Sequence, residues 1–252
     1  PSDHWPLIKE TGTLIGIRII IFSYLLGGFT LSRVFLFPVL LYYFLFKPDF
    51  RKTSREYFER VSKKADHLPE INLLLSFRHL WQFGSSLIDK FAVWRGDIQH
   101  DQVNIYGSKL FDELLLNKQG GVIAITHLGN FEVCSALLRS HPEFRLTILN
   151  HIEHAEKFNF LLNKYKIMSN IDELQVTNID PSMAMKLSER VGRGEFVAIA
   201  ADRLPVNNPE ASVTCNFFNQ PVDFPIGPYV LANILRVPLL LLICVKHKKQ
   251  YR

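Results

Sequence analysis

Cysteine is scarce in this chain, with Cys134, Cys215 and Cys244 alone among 252 residues. Three scattered thiols make no disulfide framework, and a reduced compartment is expected. No metal-ligand spacing joins them. His151, Glu153 and His154 lie close together but do not form H-E-x-x-H, so no metal site is expected. A G-x-S-x-G elbow is missing, as is any catalytic-cysteine context, which leaves no nucleophile of the chain's own. There is no internal repeat and no low-complexity tract. Charged residues make up 21% against 48% hydrophobic, which excludes intrinsic disorder. The net charge of +5 and pI near 9.1 are modest. No basic recognition helix or aromatic-bearing basic strand appears, so nucleic acid is not an expected partner.

An unbroken run of about 20 apolar residues, enough for one clean spanning helix, is also absent. Residues 14–46 are nearly all apolar, but Arg18, Gly27-Gly28, Arg33 and Pro38 interrupt them. Two short helices lying in or partly entering one leaflet are expected, with Arg18 and Arg33 reaching headgroups. No small-residue cleavage site follows, so a secretory signal peptide is not expected. Residues 1–66 carry ten Lys or Arg against six Asp or Glu, most of the chain's basic excess. Apolar helices beside basic residues point to membrane lipids with anionic headgroups as partners. "KPDFRKTSREYFERVSKK" reads as a helix after Pro48, with Thr53 or Ser54 as candidate N-cap. From Leu73 to Phe91, apolar residues recur at three- and four-residue steps, predicting a long amphipathic helix.

From Val103 the period changes. Apolar runs at "VNIY", "GVIAIT", "RLTILN", "LQVTN", "EFVAIAA" and "VPLLLLICV" alternate with helical stretches near 108–117, 131–140, 155–166, 181–192 and 226–235. This alternation predicts an α/β fold, a mostly parallel central sheet flanked by helices. The expected organisation is a membrane-associating helical segment at 1–66 and an α/β domain at 67–252. The sequence ends just past a strand, so a further C-terminal segment is expected. Sites in such sheets collect at the carboxyl ends of the strands. His127 follows "GVIAIT" and Asp202 follows "EFVAIAA".

The stretch "HLGNFE" places Glu132 five residues after His127, in the first turn of the expected next helix. With Gly129 allowing a tight bend, that carboxylate reaches back toward an imidazole nitrogen. A carboxylate there sets the tautomer, leaves the other nitrogen as acceptor and stabilises the imidazolium. A histidine so held is a general base, and the hydroxyl it deprotonates arrives with the substrate. The reaction this chemistry favours is acyl transfer from a thioester. The same dyad acting on water would make a thioesterase or lipid hydrolase. A carrier-protein adaptor at the membrane, without turnover, is the non-enzymatic alternative.

"HLGNFE" also resembles the H-x4-D/E motif of the lysophospholipid acyltransferase superfamily, in the form typical of its lipid A biosynthesis acyltransferase family. "HWPLIKETGTLIGIRIIIFSYLLGG", "KPDFRKTSREYF", "GEFVAIAADR", "CNFFNQPVDFPIGPYVLA" and "VPLLLL" resemble further blocks of that family in the same order. The resemblance implies an acyltransferase at the cytoplasmic face of a bacterial inner membrane, peripheral or anchored by its N-terminal helices. Its co-substrate would be an acyl-carrier-protein or acyl-CoA thioester, and its acceptor a lipid hydroxyl; no further cofactor is implied. His127 would be the base and Glu132 its orienting partner. Gly129, Asn130, Asp202 and Arg203 would stand at the substrate, and Lys157 or Lys164 would substitute for arginines that relatives carry in the region after "RLTILN". Arg203 stands where the family often has Gln, and Asn219 where Gly is common.

Overall fold

The computed structural model describes residues 14–65, 67–98, 102–134, 143–150, 171–175, 181–205, 208–247 and 250–252. Contacts group them into two units. One is helical, runs to Phe91 and includes Asn216–Pro221; the other holds the parallel sheet and begins at Ala92. The helical unit extends past the expected end at residue 66.

Within the helical unit, α1 (Leu14–Phe46) is broken where the sequence led one to expect. Gly27 and Gly28 leave helical geometry, Gly28 at φ 59 and ψ −148, a region open to glycine alone. By length and composition Gly16–Phe46 is sufficient to cross a membrane, and only 28% of its most apolar window is buried. Phe22, Leu26, Val34 and Phe46 are exposed while Ile21, Tyr24, Leu36 and Leu40 are buried. Two buried hydroxyls are satisfied within the helix, Ser23 donating to the Ile20 carbonyl at 2.8 Å and Ser32 to the Phe29 carbonyl at 3.1 Å. The Arg33 guanidinium lies 5.6 Å over the Phe29 ring.

Helix α2 (Pro48–Ser62) starts earlier than the capping residues suggest. Pro48 opens it because the fixed φ of proline suits the first helical position. Neither Thr53 nor Ser54 caps it. Ser54 is buried inside the helix, with its Oγ 3.0 Å from Nδ1 of His79. Burial among Tyr57, Phe58 and Phe50 lowers the pKa of His79. Helix α3 (Leu73–Arg95) forms as expected, and Asn72 Oδ1 accepts the Leu75 N–H at its start. At Gly84 it lies so close to α1 that a Cβ would meet Leu40 Cδ1 at 2.7 Å.

The sheet unit is built on five parallel strands in the order β3-β2-β4-β1-β7: β1 (Gly121–Gly129), β2 (Leu146–Asn150), β3 (Ile171–Gln175), β4 (Phe196–Ala200) and β7 (Leu239–Cys244). Alternate residues feed two cores. Ile123, Ile125, Ile148, Phe196 and Ala198 pack with Leu114 of α4 (Lys109–Leu116) on one face. Val122, Leu149 and Val197 pack on the other, against Leu187 and Val191 of α5 (Pro181–Gly192) and Leu231 of α6 (Gly227–Leu235). Two-sided burial explains why these strands read as continuous apolar runs. Each fully buried large side chain contributes roughly 1.5–3 kcal/mol, so this double core dominates the stability of the unit.

Three strand expectations are adjusted. "VNIY" makes a single bridge, Val103 with Tyr251, instead of a strand. The strand expected at "LQVTN" begins earlier, at Ile171, with Asp172 ion-paired to Arg190, and its residues 176–178 lie outside the described residues. A two-stranded ribbon, β5 (Ser212–Phe217) with β6 (Gln220–Pro225), has no expected counterpart. Its turn places Phe218 at φ 50 and Asn219 at φ 60, a left-handed pair that asparagine tolerates. Two short strands, β8 (Lys246–His247) and β9 (Gln250–Tyr251), pair antiparallel. The expected helix at 155–166, most of that at 131–140, and His151, Glu153 and His154 lie outside the described residues.

Candidate functional site

Strand order builds the site. β1 and β4 are parallel neighbours with Ile125 opposite Ala200. Two residues further along each chain stand His127 and Asp202, so the register alone brings both to one level. The strand pattern continues one step beyond the ladder, as the Ala201 N–H donates to the Ile125 carbonyl at 2.9 Å. Then the Asp202 side chain takes over from the backbone. Its Oδ2 accepts the His127 backbone N–H at 2.5 Å, and its Oδ1 lies 2.9 Å from His127 Nδ1.

These contacts set the imidazole. An ionised carboxylate accepts only, so Nδ1 carries the proton and donates it to Asp202. Nε2 is then an acceptor, and among the described residues it has no partner. The His127 side chain is 46% exposed and that of Asp202 is 24% exposed. Burial by itself raises the pKa of Asp202. The ring and backbone hydrogen bonds from His127, with the charges of His127 and Arg203, outweigh that effect and leave it below its ordinary 3.8.

The expected orienting acid was Glu132, yet the carboxylate on the ring is that of Asp202. The cause is geometric. β1 continues to Gly129, carrying His127 as part of the strand, and a short 3-10 turn at residues 131–134 follows in place of the start of a regular α-helix. Glu132 Oε2 accepts the indole N–H of Trp94 at 2.8 Å. Gly129 makes the change of direction possible. It has φ +77, and a Cβ there would fall 1.9 Å from the Cys244 carbonyl oxygen. That same carbonyl accepts the Asn130 N–H at 2.8 Å, and the Asn130 carbonyl accepts the Val133 N–H at 3.1 Å. Gly129 and Asn130 thus fix the backbone between His127 and Glu132. Arg203 is exposed directly after Asp202. Lys157 and Lys164 lie outside the described residues.

A cavity of about 150 Å³ opens on the face of the sheet formed by Ile123, Ile125 and Ala198, and its lining is almost wholly apolar. Phe111, Phe131 and Phe144 form walls, and Glu132 is the acidic residue in the lining. Ile123 and Ile125 of β1 face this side, and beyond Ile125 the register of β1 against β7 shifts before Gly129. An apolar chain suits such a space, with polar groups held at its edge. Among the described residues no cluster of three metal-binding side chains occurs.

Sequence reading identified both His127 and Asp202 as strand-tip residues but did not pair them. The signal was present in the equal offset of each from the end of its apolar run. Trp94 had no such signal, because its contact with Glu132 spans 38 residues.

The structure thus has a parallel α/β fold with a histidine–aspartate pair at adjacent strand tips. The family follows from comparison. Residues 80–252 match the model of the bacterial lipid A biosynthesis acyltransferases, and the chain belongs to that family. It is therefore a lipid acyltransferase in the general sense. A comparison with curated protein sequences gave no match.

Proposed function

We propose that the protein transfers a fatty acyl group from an acyl-carrier-protein or acyl-CoA thioester to a hydroxyl of a membrane lipid. His127 Nε2 takes the proton of the acceptor hydroxyl as its oxygen attacks the thioester carbonyl. The tetrahedral intermediate collapses with cleavage of the C–S bond. The departing thiolate takes the proton from the imidazolium, giving an ester and a free thiol. Asp202 holds the ring tautomer and offsets the charge that develops on the ring. Glu132 acts as a second acid that stabilises the imidazolium from the cavity lining. Arg203 and Lys164 supply positive charge to the donor's or acceptor's phosphates, while Gly129 and Asn130 shape the approach to the thioester. The acyl chain occupies the apolar cavity.

One observation carries this reading: Nδ1 is engaged by Asp202, which leaves Nε2 as the acceptor, and among the described residues Nε2 has no partner. The apolar surface of α1 and the basic residues of α2 support action at the cytoplasmic face of an inner membrane. The test uses the full chain with vesicles, acyl-carrier-protein and acyl-CoA thioesters, and a hydroxylated glycolipid acceptor. Mass spectrometry should detect an ester on the acceptor, and thiol release should depend on that acceptor. Thiol release at equal rates with and without acceptor would identify a hydrolase instead.

A further inference from the structure

We infer that Trp94 is a positioning residue of the site, acting through Glu132. The inference rests on the proposed role of Glu132 and adds the group that aims it.

Trp94 stands in the last turn of α3, where the chain is firmly held. The Asp97 N–H donates to the Ala92 carbonyl at 2.8 Å and the Gly96 N–H to that of Val93 at 2.9 Å, with Gly96 at φ 89. This paired closure ends a helix with its final carbonyls satisfied. Ala92 and Val93 are wholly buried, and Trp94 is 7% exposed. Arg95 pairs with Asp97 at 2.8 Å across the same turn. The indole is consequently held by packing at a buried, hydrogen-bonded helix end.

An indole nitrogen only donates, and a buried one requires an acceptor. Here the acceptor is a carboxylate, which makes the bond charge-assisted. Glutamate has three side-chain torsions, and Glu132 sits on a short turn at a cavity wall. The bond from Trp94 holds one carboxylate oxygen, Oε2, and so restricts the directions that the carboxylate can take. A site acts efficiently when its charged groups are oriented before substrate arrives. Trp94 provides that orientation from a residue that is not part of the motif.

The test compares Trp94→Phe, Glu132→Ala and the double variant in the full chain. Phenylalanine keeps the buried ring and removes the N–H. Trp94→Phe is expected to lower kcat about tenfold while leaving the donor KM within about twofold. In the Glu132→Ala background it should cause no further loss, because the partner it acts through is gone. An impaired Glu132→Ala beside a fully active Trp94→Phe would overturn the inference and leave the proposed mechanism standing. Equal losses from Trp94→Phe in both backgrounds would also overturn it, showing a merely structural role. A fully active Glu132→Ala would remove both the inference and the role of Glu132. If Trp94→Phe fails to fold, the indole N–H resonance of Trp94 decides. It should move on Glu132→Ala and stay in place on His127→Ala, and an unmoved signal in Glu132→Ala contradicts the contact.

Discussion

The two ends of the parallel sheet each gather charged side chains from neighbouring strands, and they do so to different effect. At the amino ends, Arg190 of α5 donates to Thr147 of β2 at 2.8 Å and to Asp172 of β3 at 2.6 Å, and it lies 3.6 Å from Glu195 beside β4. Thr147 is fully buried there, and one guanidinium ties three strands together. At the carboxyl ends, Asp202 receives two hydrogen bonds from His127, while Nε2 has no partner among the described residues. The lower cluster gathers acceptors from three strands onto one cation. The upper one holds an imidazole by one edge and leaves the other without a partner among the described residues. Charge networks of the first kind secure a fold, and those of the second kind are suited to moving a proton.

The contrast is sharpest at Asp202. Asp202→Asn retains one oxygen and adds an N–H2 group, so it cannot accept from both the ring and the backbone of His127. The wrong ring tautomer or a lost contact follows, and kcat should fall by about 10²-fold or more, as expected for a disrupted base. Steady-state acyl transfer and thermal melting of the variant would check this; near-normal turnover would mean that the pair has no catalytic part.

A mirror-image result is expected at the other end. Arg190→Met should reduce stability by roughly 1.5–3 kcal/mol, the usual scale for charge-assisted hydrogen bonds. Its kcat per folded molecule should be unchanged. Denaturant unfolding combined with active-site-normalised turnover would separate the two effects. Loss of turnover without loss of stability would erase the distinction between the ends.

The smallest effect concerns acid. The folded-state pKa of Asp202 lies below its ordinary 3.8, so its ionised form is favoured by folding. That stabilisation is present above the unfolded pKa and is lost as pH falls through the lower folded value. Wild type should therefore keep its stability advantage over Asp202→Asn down to about the ordinary carboxylate range. The advantage should disappear only below it. Urea unfolding of both proteins over a pH series measures this, and an advantage lost near neutrality would contradict the assignment.

Much of this architecture was legible in the sequence because two-sided burial leaves a strong mark. "GVIAIT", "EFVAIAA" and "VPLLLLICV" became β1, β4 and β7, and the Gly27-Gly28 break in α1 was visible as punctuation. The ribbon of β5 and β6 was not, since its residues are largely exposed, carry prolines and lack a clean apolar alternation. Ser54 looked like a cap because its chemistry suits one, yet it answers to His79 across 25 residues. The site divides in the same way. His127, Glu132 and Asp202 were each identifiable, but which acid meets the ring depends on β4 lying beside β1. Strand order is a property of the packed sheet and leaves no local trace.

The central claim is that His127 removes the proton from an incoming lipid hydroxyl. Its most direct test is the turnover of His127→Ala in acyl transfer to the lipid acceptor, measured on protein with an unaltered melting transition. A fall in kcat on the order of 10²–10⁴-fold is expected for loss of a general base. Turnover close to wild type in that folded variant would contradict the mechanism.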